Sequence, residues 1–185
     1  MALMTSAKEE MGTPAKDFSL VGVDGKTISL DTFKEKKALL VIFMCNHCPY
    51  VIAVQDRINQ IAKDYADQGV AVVGINSNDA ENYPEDSYEK MKQRAKEKNY
   101  AFSYLYDETQ EVAKAYGAVC TPDPYLYENQ DGKFLLRYHG RIDDSWKDES
   151  AVTSKDLRKA IEAVLKDDKI EFEQKPSMGC SIKWK

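Results

Sequence analysis

The stretch Ala38-Leu39-Leu40-Val41-Ile42-Phe43-Met44-Cys45-Asn46-His47-Cys48-Pro49 decides the fold. Residues 38–44 form a continuous apolar run, which suits a strand buried on both faces, as in a parallel sheet. A Cys-x-x-Cys motif follows at once. Beyond it, apolar residues fall at Val51, Val54, Ile58, Ile61, Ala62 and Tyr65. That spacing predicts an amphipathic helix over residues 49–66. Pro49 lies near its start, where a missing N–H costs little. Gly69 closes the helix region, and residues 70–75 read as a second buried strand. Strand, helix and strand make one right-handed βαβ unit.

Outward from this unit, short alternating runs at residues 18–20 and 26–30 flank Asp24-Gly25, a β-hairpin signal. Residues 31–37 read as one helical turn and residues 76–83 as a polar connection. A helix is expected over residues 84–98, with an apolar stripe at Tyr88, Met91 and Ala95 and its charges on a solvated face. Residues 102–106 read as a strand, and residues 109–116 as a helix ended by Gly117. Strands at 125–127 and 134–139 surround the turn Asn129-Gln130-Asp131-Gly132, and a last amphipathic helix covers 153–166. This divides the chain into an N-terminal arm (1–12), one domain (13–167) and a tail (168–185) without clear periodicity.

The chain has 185 residues, 43% hydrophobic and 31% charged, which fits one globular domain. A net charge of −5 without a basic stripe argues against nucleic acid as a partner. No run is long enough to span a bilayer, and residues 1–13 have no apolar signal-peptide core, so a cytoplasmic location is expected. In a reducing compartment a close cysteine pair is catalytic or metal-binding more often than structural.

The placement of the motif favours redox chemistry. Cys45 ends a strand and Cys48 begins a helix, whose N-terminal N–H groups and partial positive charge stabilise a thiolate. One helical turn brings the two sulfurs within disulfide reach. Cys45, at the exposed edge, is expected to attack and Cys48 to resolve the mixed disulfide. A protonated His47 would favour the Cys45 thiolate; the alternative is a surface histidine turned away. A zinc knuckle completed by Cys120 and Cys180 is the competing reading, but these two are single and remote rather than a second knuckle. No metal and no cofactor are expected. There is no phosphate loop, nicotinamide fingerprint or Ser/His/Asp grouping, so electrons would come from an external thiol donor.

Together with the later segment Tyr116-Gly117-Ala118-Val119-Cys120-Thr121-Pro122, the βαβ unit and its motif resemble the thioredoxin superfamily. The start Pro14-Ala15-Lys16-Asp17-Phe18-Ser19-Leu20, with Asp24-Gly25-Lys26 and Leu30, is similar to peroxiredoxin-like (AhpC/TSA) and thiol-reductase (TlpA/ResA-like) proteins. The segment Pro176-Ser177-Met178-Gly179-Cys180-Ser181-Ile182-Lys183-Trp184 resembles the C-terminus of the peroxiredoxin-like proteins that carry Cys-x-x-Cys. The resemblance implies a thioredoxin fold: a central mixed β-sheet flanked by helices, with an extra N-terminal β-hairpin. It implies a cis Pro122 facing the motif, with Thr121 and Pro122 presenting the substrate chain.

The departures matter. Met44 stands where thioredoxins usually have Trp, and Asn46-His47 replace Gly-Pro. The peroxiredoxin pattern Pro-x-x-x-Thr-x-x-Cys falls on Ala38 and Ile42 when aligned on Cys45, and on Val41 and Cys45 when aligned on Cys48. The peroxide-holding hydroxyl is therefore missing from its usual place, and Arg137 and Arg141 are the candidate guanidinium groups. The leading expectation is a thiol-disulfide oxidoreductase acting on a disulfide-containing protein or small molecule. The alternatives are a thiol peroxidase and a metal-binding or redox-sensing adaptor. Cys120 and Cys180 are possible additional thiols, with inert buried or incidental cysteines as the other reading; His139 reads as structural.

Overall fold

The computed structural model describes residues 3–185. In chain order its strands and helices are β1 (Leu3–Thr5), β2 (Ser19–Gly22), β3 (Thr27–Ser29), β4 (Ala38–Phe43), α1 (Pro49–Tyr65), β5 (Val70–Asn76), α2 (Tyr88–Glu97), β6 (Ser103–Tyr106), α3 (Glu111–Tyr116), β7 (Cys120–Thr121), β8 (Asp123–Gln130), β9 (Lys133–His139), α4 (Asp156–Leu165) and β10 (Met178–Ser181). A seven-stranded mixed sheet runs β3-β2-β6-β5-β4-β8-β9. Strand β4 is parallel to β5, with Leu40 beside Val72, and antiparallel to β8, with Leu40 beside Leu126. The N-terminal hairpin joins the sheet through β2, which pairs with both β3 and β6.

All six residues of β4 are buried, as the unbroken apolar run predicts. Successive side chains point to opposite faces of a strand. Leu40, Ile42 and Met44 therefore enter one core with Val54, Ile58 and Ile61 of α1 and Leu157, Ile161 and Val164 of α4. Leu39, Val41 and Phe43 enter the other, with Val112, Ala113 and Tyr116 of α3. Each such side chain contributes about 1.5–3 kcal/mol on burial. This double packing holds the C-terminal end of β4, and the motif that follows it, in a fixed place.

Two elements differ from the sequence reading in ways that shape the site. The helix expected over 84–98 is divided. A 3-10 turn spans Pro84–Asp86, Ser87 is extended (φ −61°, ψ 154°), and α2 begins only at Tyr88. Asp86 is fully buried rather than on a solvated face. The tail is also not structureless. Strand β10 pairs with β7 and with β1 in a second, three-stranded sheet β1-β10-β7. A four-residue strand whose partners lie about sixty and more residues away carries no periodicity a sequence could display. Among the described residues, no helix is long and apolar enough to cross a membrane.

Candidate active site

Residues 45–48 join the C-terminal end of β4 to α1. Cys48 is the N-cap of α1 and Pro49 opens the helix. Opposite them lies Thr121-Pro122, whose peptide bond is cis. Thr121 touches both sulfurs. Its hydroxyl is 3.4 Å from Cys45 Sγ, and its carbonyl oxygen accepts from the Cys48 thiol at 3.3 Å.

The two residues between the cysteines are latched by Asp86. The Asn46 N–H donates to Asp86 Oδ1 at 2.6 Å, and His47 Nδ1 donates to Asp86 Oδ2 at 2.5 Å. Asn78 Nδ2 donates to the same Oδ2 at 2.7 Å. The Asn46 side chain bridges the Glu85 carbonyl (2.9 Å) and the Tyr104 hydroxyl (3.1 Å). The His47 ring stacks on Tyr83 with centroids 5.4 Å apart. His47 is thus turned inward. Its hydrogen bond to Asp86 raises its pKa above the ordinary 6.5, so the imidazolium is favoured.

One sequence expectation is corrected here. Cys45 is not at an exposed edge: it is only 2% exposed and Cys48 is fully buried. The turn at Pro84–Asp86 draws the loop inward from one side, and Thr121 closes the other. The surroundings act on the two thiols in opposite directions. Burial pushes the Cys45 thiol well up. The Cys48 sulfur is lowered to about 5, first by the hydrogen bond it receives from Cys45, with help from the Val51 N–H in the first turn of α1. The two thiols are coupled, so loss of a proton from one disfavours its loss from the other.

The tail completes the site. Cys180 of β10 lies beside Thr121, and Ser181 beside Cys120. Gly179 comes so close that a Cβ there would stand 1.8 Å from the Thr121 carbonyl oxygen. Ile182 is buried, whereas Trp184 is 41% exposed, so Ile182 seats the tail more than Trp184 does. Cys120 is buried and its pKa is pushed up, mainly by desolvation. His139 Nε2 lies 2.8 Å from Oδ1 of buried Asp123, and its ring stacks on Tyr125. Arg137 pairs with Glu128, and Arg141 with Asp156 at 2.6 Å, so both guanidinium groups are engaged elsewhere. A cleft of about 210 Å³, lined by Val54, Pro122, Trp146 and Met178 among others, runs beside Pro122.

One ligand atom each from Cys45, His47 and Asp86 lies within 4.8 Å of the others, a set able to hold a divalent ion such as zinc. Both Asp86 oxygens, however, already accept strong hydrogen bonds, which an ion would have to displace. Asp86, Asn78 and Tyr83 were not found from the sequence. Only Pro84 near a run of acidic residues hinted at a turn there, and nothing marked which carboxylate would turn inward.

Residues 11–144 match the AhpC/TSA family model. The chain belongs to the AhpC/TSA family. Among AhpC/TSA and thioredoxin-like relatives, it is 25% identical over 139 residues to the thiol-disulfide oxidoreductase ResA of Bacillus thuringiensis subsp. konkukian, covering 72% of each chain. It is 29% identical over 110 residues to the chloroplastic peroxiredoxin Q of Triticum aestivum, covering 60% of this chain and 47% of that one. The crystal structure of an uncharacterized conserved protein from Geobacillus kaustophilus matches at 48% identity and TM-score 0.93, covering 100% of this chain and 97% of that one. A putative thioredoxin from Neisseria meningitidis shares the fold at 23% identity and TM-score 0.62, covering 83% of this chain and 90% of that one. The architecture is a thioredoxin fold with added N-terminal strands, and membership of this redox family supports a redox enzyme.

Proposed function

We propose that this protein is a thiol-disulfide oxidoreductase in which Cys45 and Cys48 cycle between dithiol and disulfide. The observation that carries this reading is geometric: Cys45 at the end of β4 and Cys48 at the N-cap of α1 both touch Thr121, the residue before the cis proline, through its hydroxyl and its carbonyl. As Cys45 attacks a substrate disulfide, Cys48 accepts its proton. One substrate sulfur bonds to Cys45, and the other leaves as a thiolate and takes that proton from Cys48. The Cys48 thiolate then attacks Cys45 Sγ and expels the second substrate sulfur as a thiolate, which is protonated by solvent. Two electrons pass to the substrate, and an external thiol donor restores the pair. The His47 imidazolium, within 4.8 Å of Cys45 Sγ, steadies the negative charge as it moves onto that sulfur. A cytoplasmic thiol pool would keep the pair reduced.

The test is steady-state reduction of hydroxyethyl disulfide with dithiothreitol as donor. Turnover lost in Cys45→Ser, and mixed disulfides trapped in Cys48→Ser, support the reading. Undiminished turnover in Cys45→Ser refutes it.

A second reading, a thiol peroxidase, has one observation in its favour: the Thr121 hydroxyl supplies in space, 3.4 Å from Cys45 Sγ, what the sequence motif lacks. Rapid peroxide consumption that Thr121→Val abolishes would establish it over disulfide exchange.

A further inference from the structure

We propose that Cys180 is a third redox thiol of this centre, and that β10 is a built-in substrate strand: once Cys45 and Cys48 are joined, Cys180 takes over Cys48 and releases Cys45. This rests on the reading of Cys45 and Cys48 as a redox pair.

Three cysteines converge on one residue. Thr121 contacts Cys45 Sγ through its hydroxyl and Cys48 Sγ through its carbonyl, and it is the strand partner of Cys180. Cys48 and Cys180 thus meet at one backbone position: Cys48 Sγ lies 3.3 Å from the Thr121 carbonyl oxygen, and Cys180 is the residue paired with Thr121 across the strands. Two cysteines set against the same residue come within disulfide reach by side-chain rotation and a small strand shift. All three lie in one buried cluster, so the exchange is shielded from water.

The strand is held in register on both sides of Cys180. Before it, the Ser177 hydroxyl donates to the Pro122 carbonyl at 2.6 Å. After it, the Ile182 N–H donates to the Val119 carbonyl at 3.0 Å and the Lys183 N–H to Asn78 Oδ1 at 2.9 Å. Asn78 is the residue whose amide also holds Asp86, so one side chain ties the tail to the His47 latch. Gly179 permits the approach, since any side chain there would meet the Thr121 carbonyl. A cysteine serving only as packing needs no such alignment with a second thiol.

The chemistry balances without an added reagent. Starting from the Cys45–Cys48 disulfide, Cys180 loses its proton and its thiolate attacks Cys48 Sγ. The Cys48–Cys180 bond forms as the Cys45–Cys48 bond breaks. Cys45 leaves as the thiolate and takes up the proton that Cys180 gave. One disulfide replaces another, and no electrons are gained or lost. The oxidising equivalent is then stored on the tail while Cys45 is again a thiol.

The test is disulfide mapping of the full chain titrated with oxidised glutathione, acid-quenched, alkylated and digested for mass spectrometry. The wild type is expected to show both the Cys45–Cys48 loop within one tryptic peptide and a Cys48–Cys180 link between two. Cys45→Ser is expected to give the Cys48–Cys180 link alone, and Cys180→Ala the Cys45–Cys48 loop alone. A wild type that forms the Cys45–Cys48 bond but never links Cys180, with Cys180 fully alkylated, overturns the proposal while sparing the redox pair. A wild type that forms no Cys45–Cys48 bond overturns the redox-pair reading and this proposal with it. The wild-type map needs no variant to fold, so it decides the matter by itself.

Discussion

His47 Nδ1 stands 2.5 Å from Asp86 Oδ2, a buried ion pair joining the residue before Cys48 to a turn 39 positions further along the chain. The other Asp86 oxygen holds the Asn46 N–H, so one carboxylate orients both residues between the cysteines.

His47 should titrate above its ordinary value of about 6.5, because the Asp86 hydrogen bond favours its charged form. The chain has two histidines, so proton NMR can follow each ring directly. Asp86→Asn should bring the His47 midpoint down. Since the folded pKa is the raised one, this pair's contribution to stability is complete below about pH 6.5 and is lost as pH rises through the folded value. Urea unfolding of wild type and Asp86→Asn should therefore differ more below that range than above it.

Asp86→Ala should destabilise the protein strongly. The carboxylate accepts from Asn46, His47 and Asn78, and removing it leaves three donors unpaired in a largely buried site. A loss of about 3 kcal/mol is expected from charge-assisted bonds at buried positions. Denaturant titration reads it, and an unchanged midpoint would show that the turn is not held as described.

The centre of the fold was open to reading in the sequence, and the surroundings of the site were not. The run at residues 38–44, the Cys-x-x-Cys motif and the helical spacing after it are local patterns, and they placed β4, α1 and β5 correctly. The cis bond before Pro122 followed from resemblance and is present. Asp86 and β10 depend on contacts between distant segments. Asp86 looked like one more charge in an acidic and basic helix, and its burial comes from the extended Ser87 that turns the chain before α2. Likewise, Cys180 pairs with Thr121 across about sixty residues, a distance over which no hydrophobic period operates.

Gly179→Ala should lift the tail away from Thr121, because the new methyl would collide with a backbone carbonyl rather than with a movable side chain. Alkylation of Cys48 and Cys180 by iodoacetamide should then speed up by about tenfold or more, with the fold retained by circular dichroism. Unchanged alkylation would mean that β10 does not shield these sulfurs.

Thr121→Val keeps the side-chain volume and removes the hydroxyl beside Cys45. That hydrogen bond lowers the Cys45 pKa, so its loss should push the thiol further up and slow attack on a small disulfide by about threefold to tenfold. Stopped-flow thiol kinetics against pH would separate this from a folding defect, since the profile should move to higher pH.

The most direct measurement is the reduction potential of the Cys45–Cys48 pair in a glutathione redox series, with mass spectrometry to identify the joined sulfurs. The lowering of the Cys48 pKa and the raising of the His47 pKa by Asp86 both favour the reduced form. A disulfide involving Cys48 should therefore form reversibly, with a potential less reducing than the thioredoxin value of about −270 mV. A pair that stays as two thiols at every glutathione ratio would contradict it.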